Sequence, residues 1–266
     1  MIKLGVNSVL FQDLDFAGAV KHIAECGYDG VEISAIEGMC EHLVLSNWKA
    51  QASDLKQIVA DAGIEFLAME ETKLDDERLK LAFEAAAEIG IPVVNVGSGG
   101  KTGVDDDLTA SIEMLAKMSE AAASFGVTLC VKAHVGAAIH NTETTLRAIE
   151  AIGSPGFGID MDPSHIYRAG EDPKSALPAV IDRVRHIHIR DCKGRERGPG
   201  PARDQACGRG DIDLLGYCKA MVDGGYDGPV CLEVIGGSGL DLSTLCTIAA
   251  ESYGYLHATL KALGAR

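Results

Sequence analysis

Eight short β-rich runs alternate with longer stretches whose apolar residues recur at three-to-four spacing, and this alternation limits what the 266-residue chain can fold into. The runs are Lys3–Val6, Gly30–Ile33, Glu65–Ala68, Pro92–Val96, Thr128–Val131, Gly156–Ile159, His186–Ile189 and Val230–Val234. Helical spacing marks Phe16–Cys26, Trp48–Ala62, Asp76–Ile89, Leu108–Phe125, Thr142–Ile152, Pro173–Arg183 and Leu214–Gly224. Gly27, Gly63, Gly90 and Gly126 sit where a helix must stop before the next strand, the place for a left-handed residue. Eight β-α alternations without a long linker predict one α/β domain over residues 1–266, a single (β/α)8 TIM barrel rather than an open doubly wound sheet. Gly27-Tyr28-Asp29-Gly30 is echoed by Gly225-Tyr226-Asp227-Gly228, and each copy precedes a run that carries a carboxylate, Glu32 or Glu233. A shared turn solution explains the echo as well as duplication does.

In such a barrel the strand ends point into one mouth. Three late runs end on polar groups: Asp162-Pro163-Ser164-His165, His186-Ile187-His188-Ile189-Arg190-Asp191 and Leu232-Glu233-Val234. Carboxylate, imidazole and carboxylate in that order are oxygen and nitrogen donors suited to a divalent cation. Each has a plainer reading alone. Asp162 before Pro163 fits an Asx turn or helix cap, and a lone His188 on an alternating strand fits a satisfied interior residue. Asp191 is placed to orient an imidazole. Glu233, fifth in an apolar run, is costly to bury without a partner.

A net charge of −15 argues against nucleic acid or an anionic membrane as a standing partner. No basic leader with a long apolar core opens the chain, and no apolar run approaches the roughly 20 residues that span a bilayer. The eight cysteines are scattered without a C-x-x-C pair, which predicts reduced, mostly buried thiols rather than metal thiolates, and a cytoplasmic protein.

These motifs resemble the xylose-isomerase-like barrel family of sugar isomerases and epimerases. The match lies in G-x-D-x-D-P-S-H at Gly158–His165, H-I-H-I-R-D at His186–Asp191 and Leu232-Glu233, with weaker agreement along the whole chain. The resemblance implies that Asp162, His188 and Glu233 ligate a divalent metal, with Mn2+ first and Mg2+, Co2+ or Zn2+ as alternatives. It implies that His165 contacts a substrate hydroxyl or carbonyl. The function it implies is isomerisation or epimerisation of a sugar or keto-sugar, by proton abstraction beside a metal-bound hydroxy-carbonyl, in a homo-oligomeric enzyme. The endonuclease branch of the family has further histidines where this chain has Glu70-Glu71 and Gly97-Ser98-Gly99, so a role in DNA repair is not expected.

The fifth run departs from the family pattern. Many members have Glu-x-His there, and this chain has Lys132-Ala133-His134. An ammonium has no lone pair for a metal and repels a nearby cation. Either a metal binds with fewer protein ligands, or Lys132 takes over one function of the ion. Glu233, Lys132 and His134 are the expected catalytic groups, with Lys132 either a neutral base or a charged stabiliser of an enediolate. The plainer alternative pairs Lys132 with Glu70, Glu71 or Asp162 as an inert ion pair. Glu70 and His165 are expected to contact the substrate, together with Arg197 from the basic, glycine- and proline-rich loop after the seventh run. The fifth-run motif also resembles that of inosose dehydratases, which supports a lyase alternative with a single base. A non-catalytic sugar-binding barrel is the alternative of another class.

Overall fold

A computed structural model describes residues 1–196 and 198–266. The strands are β1 (Leu4–Asn7), β2 (Gly30–Ile36), β3 (Cys40–Glu41), β4 (Glu65–Glu70), β5 (Val93–Gly97), β6 (Thr128–Lys132), β7 (Phe157–Asp160), β8 (Val184–Ile189) and β9 (Val230–Leu232). The helices are α1 (Phe16–Glu25), α2 (Trp48–Asp61), α3 (Asp76–Ile89), α4 (Asp105–Ser124), α5 (Thr142–Ala151), α6 (Pro163–Arg168), α7 (Pro173–Val180), α8 (Leu214–Asp223) and α9 (Leu242–Ala262). Eight strands pair in parallel around a ring, in the order β1-β2-β4-β5-β6-β7-β8-β9, and β9 returns to β1 to close it. The expected (β/α)8 barrel is therefore present. The short β3 was not anticipated; it lies antiparallel on the end of β2, outside the ring.

Period-two alternation divides each strand between two environments. Val31, Ile33, Val94, Leu129, Ile159 and Ile187 pack outward against the apolar faces of the helices in one continuous core. The intervening residues turn inward, as contacts across the ring require. Asn7 of β1 donates to Glu70 of β4 at 2.6 Å, and Asn95 of β5 donates to Glu32 of β2 at 2.7 Å. Bare glycines make the interior narrow at its base. A Cβ on Gly30 would stand 2.5 Å from Leu67 Cγ and 2.6 Å from the Glu65 carbonyl oxygen.

Gly27, Gly63, Gly90 and Gly126 all have positive φ, as their places at helix ends require. α9 is the longest helix and was not among those expected. Its buried stripe Leu245, Ile248, Ala249, Ser252 and Leu256 has helical spacing, and Asp241 caps its first turn. α6 follows β7 directly, with Asp162 as its cap and Pro163 in its first turn.

Candidate active site

A cavity of about 460 Å³ opens at the C-terminal ends of the barrel strands, and its walls include Glu70, Lys132, His134, His165, Arg190 and Glu233. Each inward side chain comes from the last residue of a strand or the residues just past it, which is how this barrel gathers groups distant in sequence.

Lys132 stands at the centre of the group. Its Nζ donates to Glu70 Oε1 and to Glu233 Oε1, both at 2.8 Å, and lies 3.2 Å from His188 Nδ1. Burial opposes its charge, but Glu233 and Glu70 outweigh burial and hold the pKa well above the usual lysine value. Lys132 is therefore an ammonium, and the neutral-base alternative loses its support. Burial, reinforced by the nearby Glu233 carboxylate, pushes Glu70 up to about 7. Burial also works against the charge of Glu233, yet Arg190 and Lys132 keep it well below the usual glutamate range. The two carboxylates flanking one ammonium thus differ in proton affinity.

Arg190 is the second buried cation. Its Nη2 lies 3.0 Å from Asp162 Oδ2, 2.9 Å from His165 Nε2 and 3.2 Å from Glu233 Oε2, and its Nε donates to Ser164 Oγ at 2.8 Å. Among the described residues, Arg190 Nη1 and Glu233 Oε2 are both buried without a hydrogen-bond partner. His165 is neutral, its pKa lowered well below 6.5 by burial and then by Arg190. His134 packs against it with the rings tilted by 37° and their centroids 4.0 Å apart. The His134 Nδ1–H is given to the Val135 carbonyl at 2.8 Å, and burial followed by Lys132 lowers its pKa as well. Arg168 also lines the cavity and has no ion-pair or hydrogen-bond partner among the described residues.

Deeper in the barrel lies a layer of which only His188 was expected to serve the site. Glu32, Asp160, His186 and His188 are fully buried. His188 Nε2 is 2.6 Å from Glu32 Oε2, and its Nδ1 is 2.6 Å from Asp160 Oδ2. Burial opposes a charge on this ring, but Asp160 and Glu32 raise its pKa well above 6.5. The partners respond oppositely: His188 and His186 overcome burial and keep Asp160 well below, and Glu32 below, the ordinary carboxylate values. The carboxylates therefore contribute stability that is present above their unfolded pKa and lost as pH falls. His188 contributes stability present below about 6.5 and lost as pH rises through its folded value. Asp160→Asn leaves a buried imidazolium with half its counter-charge, and should cost about 3–5 kcal/mol at pH 7 in urea unfolding. A parent-like midpoint would mean that the pair is idle.

The expected metal ligands do not present free donors to a common point. Asp162 Oδ1 accepts the Ser164 N–H at 2.7 Å, Asp162 Oδ2 faces Arg190, Glu233 Oε1 faces Lys132, and both ring nitrogens of His188 already face carboxylates, Glu32 and Asp160. This donor set does not fit a divalent ion. Three other sets of donors do lie within 4.8 Å of one another: Asp160 with His186 and His188, Glu32 with Glu70 and His188, and Glu32 with His186 and Cys231. His188 is the one expected ligand found among them, and the last set includes a cysteine that the sequence reading had left out of metal chemistry. All eight cysteines are free thiols.

Asp191 does not orient an imidazole. Its Oδ1 accepts N–H groups of Cys192 and Ile212, and its Oδ2 accepts that of Gly208, which folds the basic loop over the barrel rim. A Cβ on Gly210 would meet Asp191 Oδ1 at 2.2 Å, so this approach needs glycine. Within the loop Arg209 pairs with Glu251 and Lys193 with Asp204. Arg197, expected to bind substrate, lies outside the described residues.

A closed parallel barrel with a buried acid–base group in its C-terminal mouth defines a barrel enzyme. The chain belongs to the xylose isomerase-like TIM barrel family, whose model matches residues 20–256. It is 25% identical over 253 residues to SgbU of Escherichia coli (strain K12), provisionally named an L-ribulose-5-phosphate 3-epimerase, covering 87% of this chain and 88% of that one. It is also 25% identical over 134 residues to an inosose dehydratase of Clostridium perfringens, covering 46% of this chain and 45% of that protein. Among solved structures, a D-tagatose 3-epimerase-like protein superimposes with a TM-score of 0.79 at 20% identity, covering 99% of this chain and 98% of the other. Relatives thus include proteins named for epimerisation and for dehydration. Among the described residues no helix is long and apolar enough to cross a membrane.

Proposed function

We propose that the protein isomerises or epimerises a sugar or keto-sugar by moving a proton at the carbon next to a hydroxy-carbonyl unit. The observation that carries this reading is the Glu70–Lys132–Glu233 row, two carboxylates of unlike proton affinity bridged by one ammonium on a cavity wall. Because the expected metal set does not fit, the chemistry is assigned to the chain's own groups.

Glu233 is the base. Its Oε2, ion-paired with Arg190 at 3.2 Å but in no hydrogen bond among the described residues, takes the proton from carbon, and the electron pair moves onto the carbonyl oxygen to give an enediolate. The charge that develops on oxygen lies beside the Lys132 ammonium and the free Nη1 of Arg190. Glu70, protonated over part of the neutral range, returns a proton to carbon; return on the opposite face inverts that centre, and return to the neighbouring carbon, with the proton of the adjacent hydroxyl passing to the enediolate oxygen, moves the carbonyl. His165 orients a substrate hydroxyl. The epimerase-named relatives support a sugar or keto-sugar, and Arg168, whose buried Nε has no hydrogen-bond partner among the described residues, suits an oxygen-rich substrate.

One observation favours a dehydratase as the second reading. His134 is exposed and neutral with its Nδ1 proton held by the backbone, so its Nε2 is free to accept a hydrogen bond from a substrate hydroxyl, and the proton with which a β-hydroxyl leaves the same enediolate as water comes from Glu70. Product trapping separates the two. With a panel of ketoses, their phosphates and keto-inositols, mass spectrometry of an epimer or isomer finds the substrate's composition, whereas elimination finds the loss of one water. No conversion of any panel member would favour the sugar-binding barrel.

A further inference from the structure

We propose that the ammonium of Lys132 has permanently taken the seat that a divalent metal would hold, so that this site carries its cation in the polypeptide and excludes the ion. The inference rests on the proton-transfer reading for the role it gives the lysine, but its geometry stands independently.

A metal at this position would draw on Glu233, Asp162 and His188 with oxygen and nitrogen donors about 2.0–2.2 Å from the ion. Instead, Glu70 and Glu233 lie 2.8 Å from Lys132 Nζ, the spacing of an N–H···O bond. Asp162 has turned to Arg190, whose Nη2 also lies 3.2 Å from Glu233. Two fixed single charges therefore stand where one double charge would, each matched to carboxylates on the wall. Their side chains are 7% and 3% exposed, so water does not screen them. An ammonium has three N–H groups, and the two carboxylates use two. Lys132 also lines the cavity, within reach of a substrate oxygen, and its Nζ lies 3.2 Å from His188 Nδ1. Lys132 is on this reading a catalytic residue, since it would touch the oxygen that becomes the enediolate. A lysine can act only as a point charge, whereas a metal chelates two substrate oxygens. Positioning must then come from Arg190, His165 and Arg168.

The experiment is equilibrium dialysis of the intact protein against Mn2+, with metal counted per chain, for the parent, Lys132→Glu and Lys132→Gln. The parent should take up no Mn2+ that depends on Asp162; an ion retained by Asp162→Asn would belong to one of the deeper donor sets and leave the seat of Lys132 without metal. Lys132→Glu, which supplies a third carboxylate and withdraws the competing charge, should bind one Mn2+ at least about 100-fold more tightly than the parent. Lys132→Gln should bind with intermediate strength, and serves if the glutamate variant does not fold beside Glu70 and Glu233. One Mn2+ per parent chain that is lost on Asp162→Asn would overturn the proposal, and so would folded lysine variants that gain no affinity. Metal uptake is read without turnover, so a protein inactive on every sugar would count against the proposed reaction and leave this result intact.

Discussion

Glu233→Gln should lower kcat by about 10²–10⁴-fold, the usual contribution of one positioned general base. The amide keeps the size of the side chain but cannot take a proton from carbon. It also withdraws the charge that Lys132 and Arg190 share, since both lie close to Glu233. Excess positive charge in the mouth should bind an electron-rich substrate as well as before, so KM should change far less than kcat. Steady-state kinetics with whichever panel sugar turns over, alongside a thermal melt, separates lost chemistry from lost fold. A folded variant with parent-like kcat would remove Glu233 from the reaction.

The second large effect is on pH dependence. Glu70 is pushed up to about 7, so its proton is present below neutrality and lost above it. A reaction that needs Glu233 ionised and Glu70 protonated should have kcat falling as pH rises through about 7. Glu70→Gln should abolish that limb and reduce the rate by a factor on the order of 10²–10³. The same shift acts on stability: a raised carboxylate pKa contributes stability fully present below the unfolded value of 4.5 and lost as pH climbs through about 7. The glutamine variant should therefore gain on the parent in thermal melts above neutrality. An alkaline limb that persists in Glu70→Gln would assign it to another group.

The barrel itself was legible because its signal is local. β-branched runs, helical spacing and glycines at helix ends need no knowledge of distant partners, and the eight inner strands lie where those signals put them. The third, fifth, sixth, seventh and eighth ring strands also announced their terminal groups, from Glu70 to Glu233. What those groups do to each other was not legible, because it depends on strand stagger. Pairing shifts register between Val31 and Glu32 and again between Ile159 and Asp160, and these offsets carry Glu32 and Asp160 to His188. One missed signal was available. His186 precedes His188 by two residues, and Asp160 precedes Asp162 by two, so each pair shares an inward face. The same spacing puts Arg190 two residues after His188, inside the mouth. Asp162 shows that the plain reading and the site reading can coexist: it caps α6 through Oδ1 and meets Arg190 through Oδ2.

The most direct test follows hydrogen at carbon. The protein is incubated in D2O with the ketose and keto-inositol panel, and NMR records deuterium at the position beside the carbonyl. The parent should label at least one sugar there, whether or not EDTA is present, and Glu233→Gln should not. Labelling by the glutamine variant at the parent's rate, or no labelling of any sugar by the folded parent, would contradict carbon acid–base chemistry at this mouth.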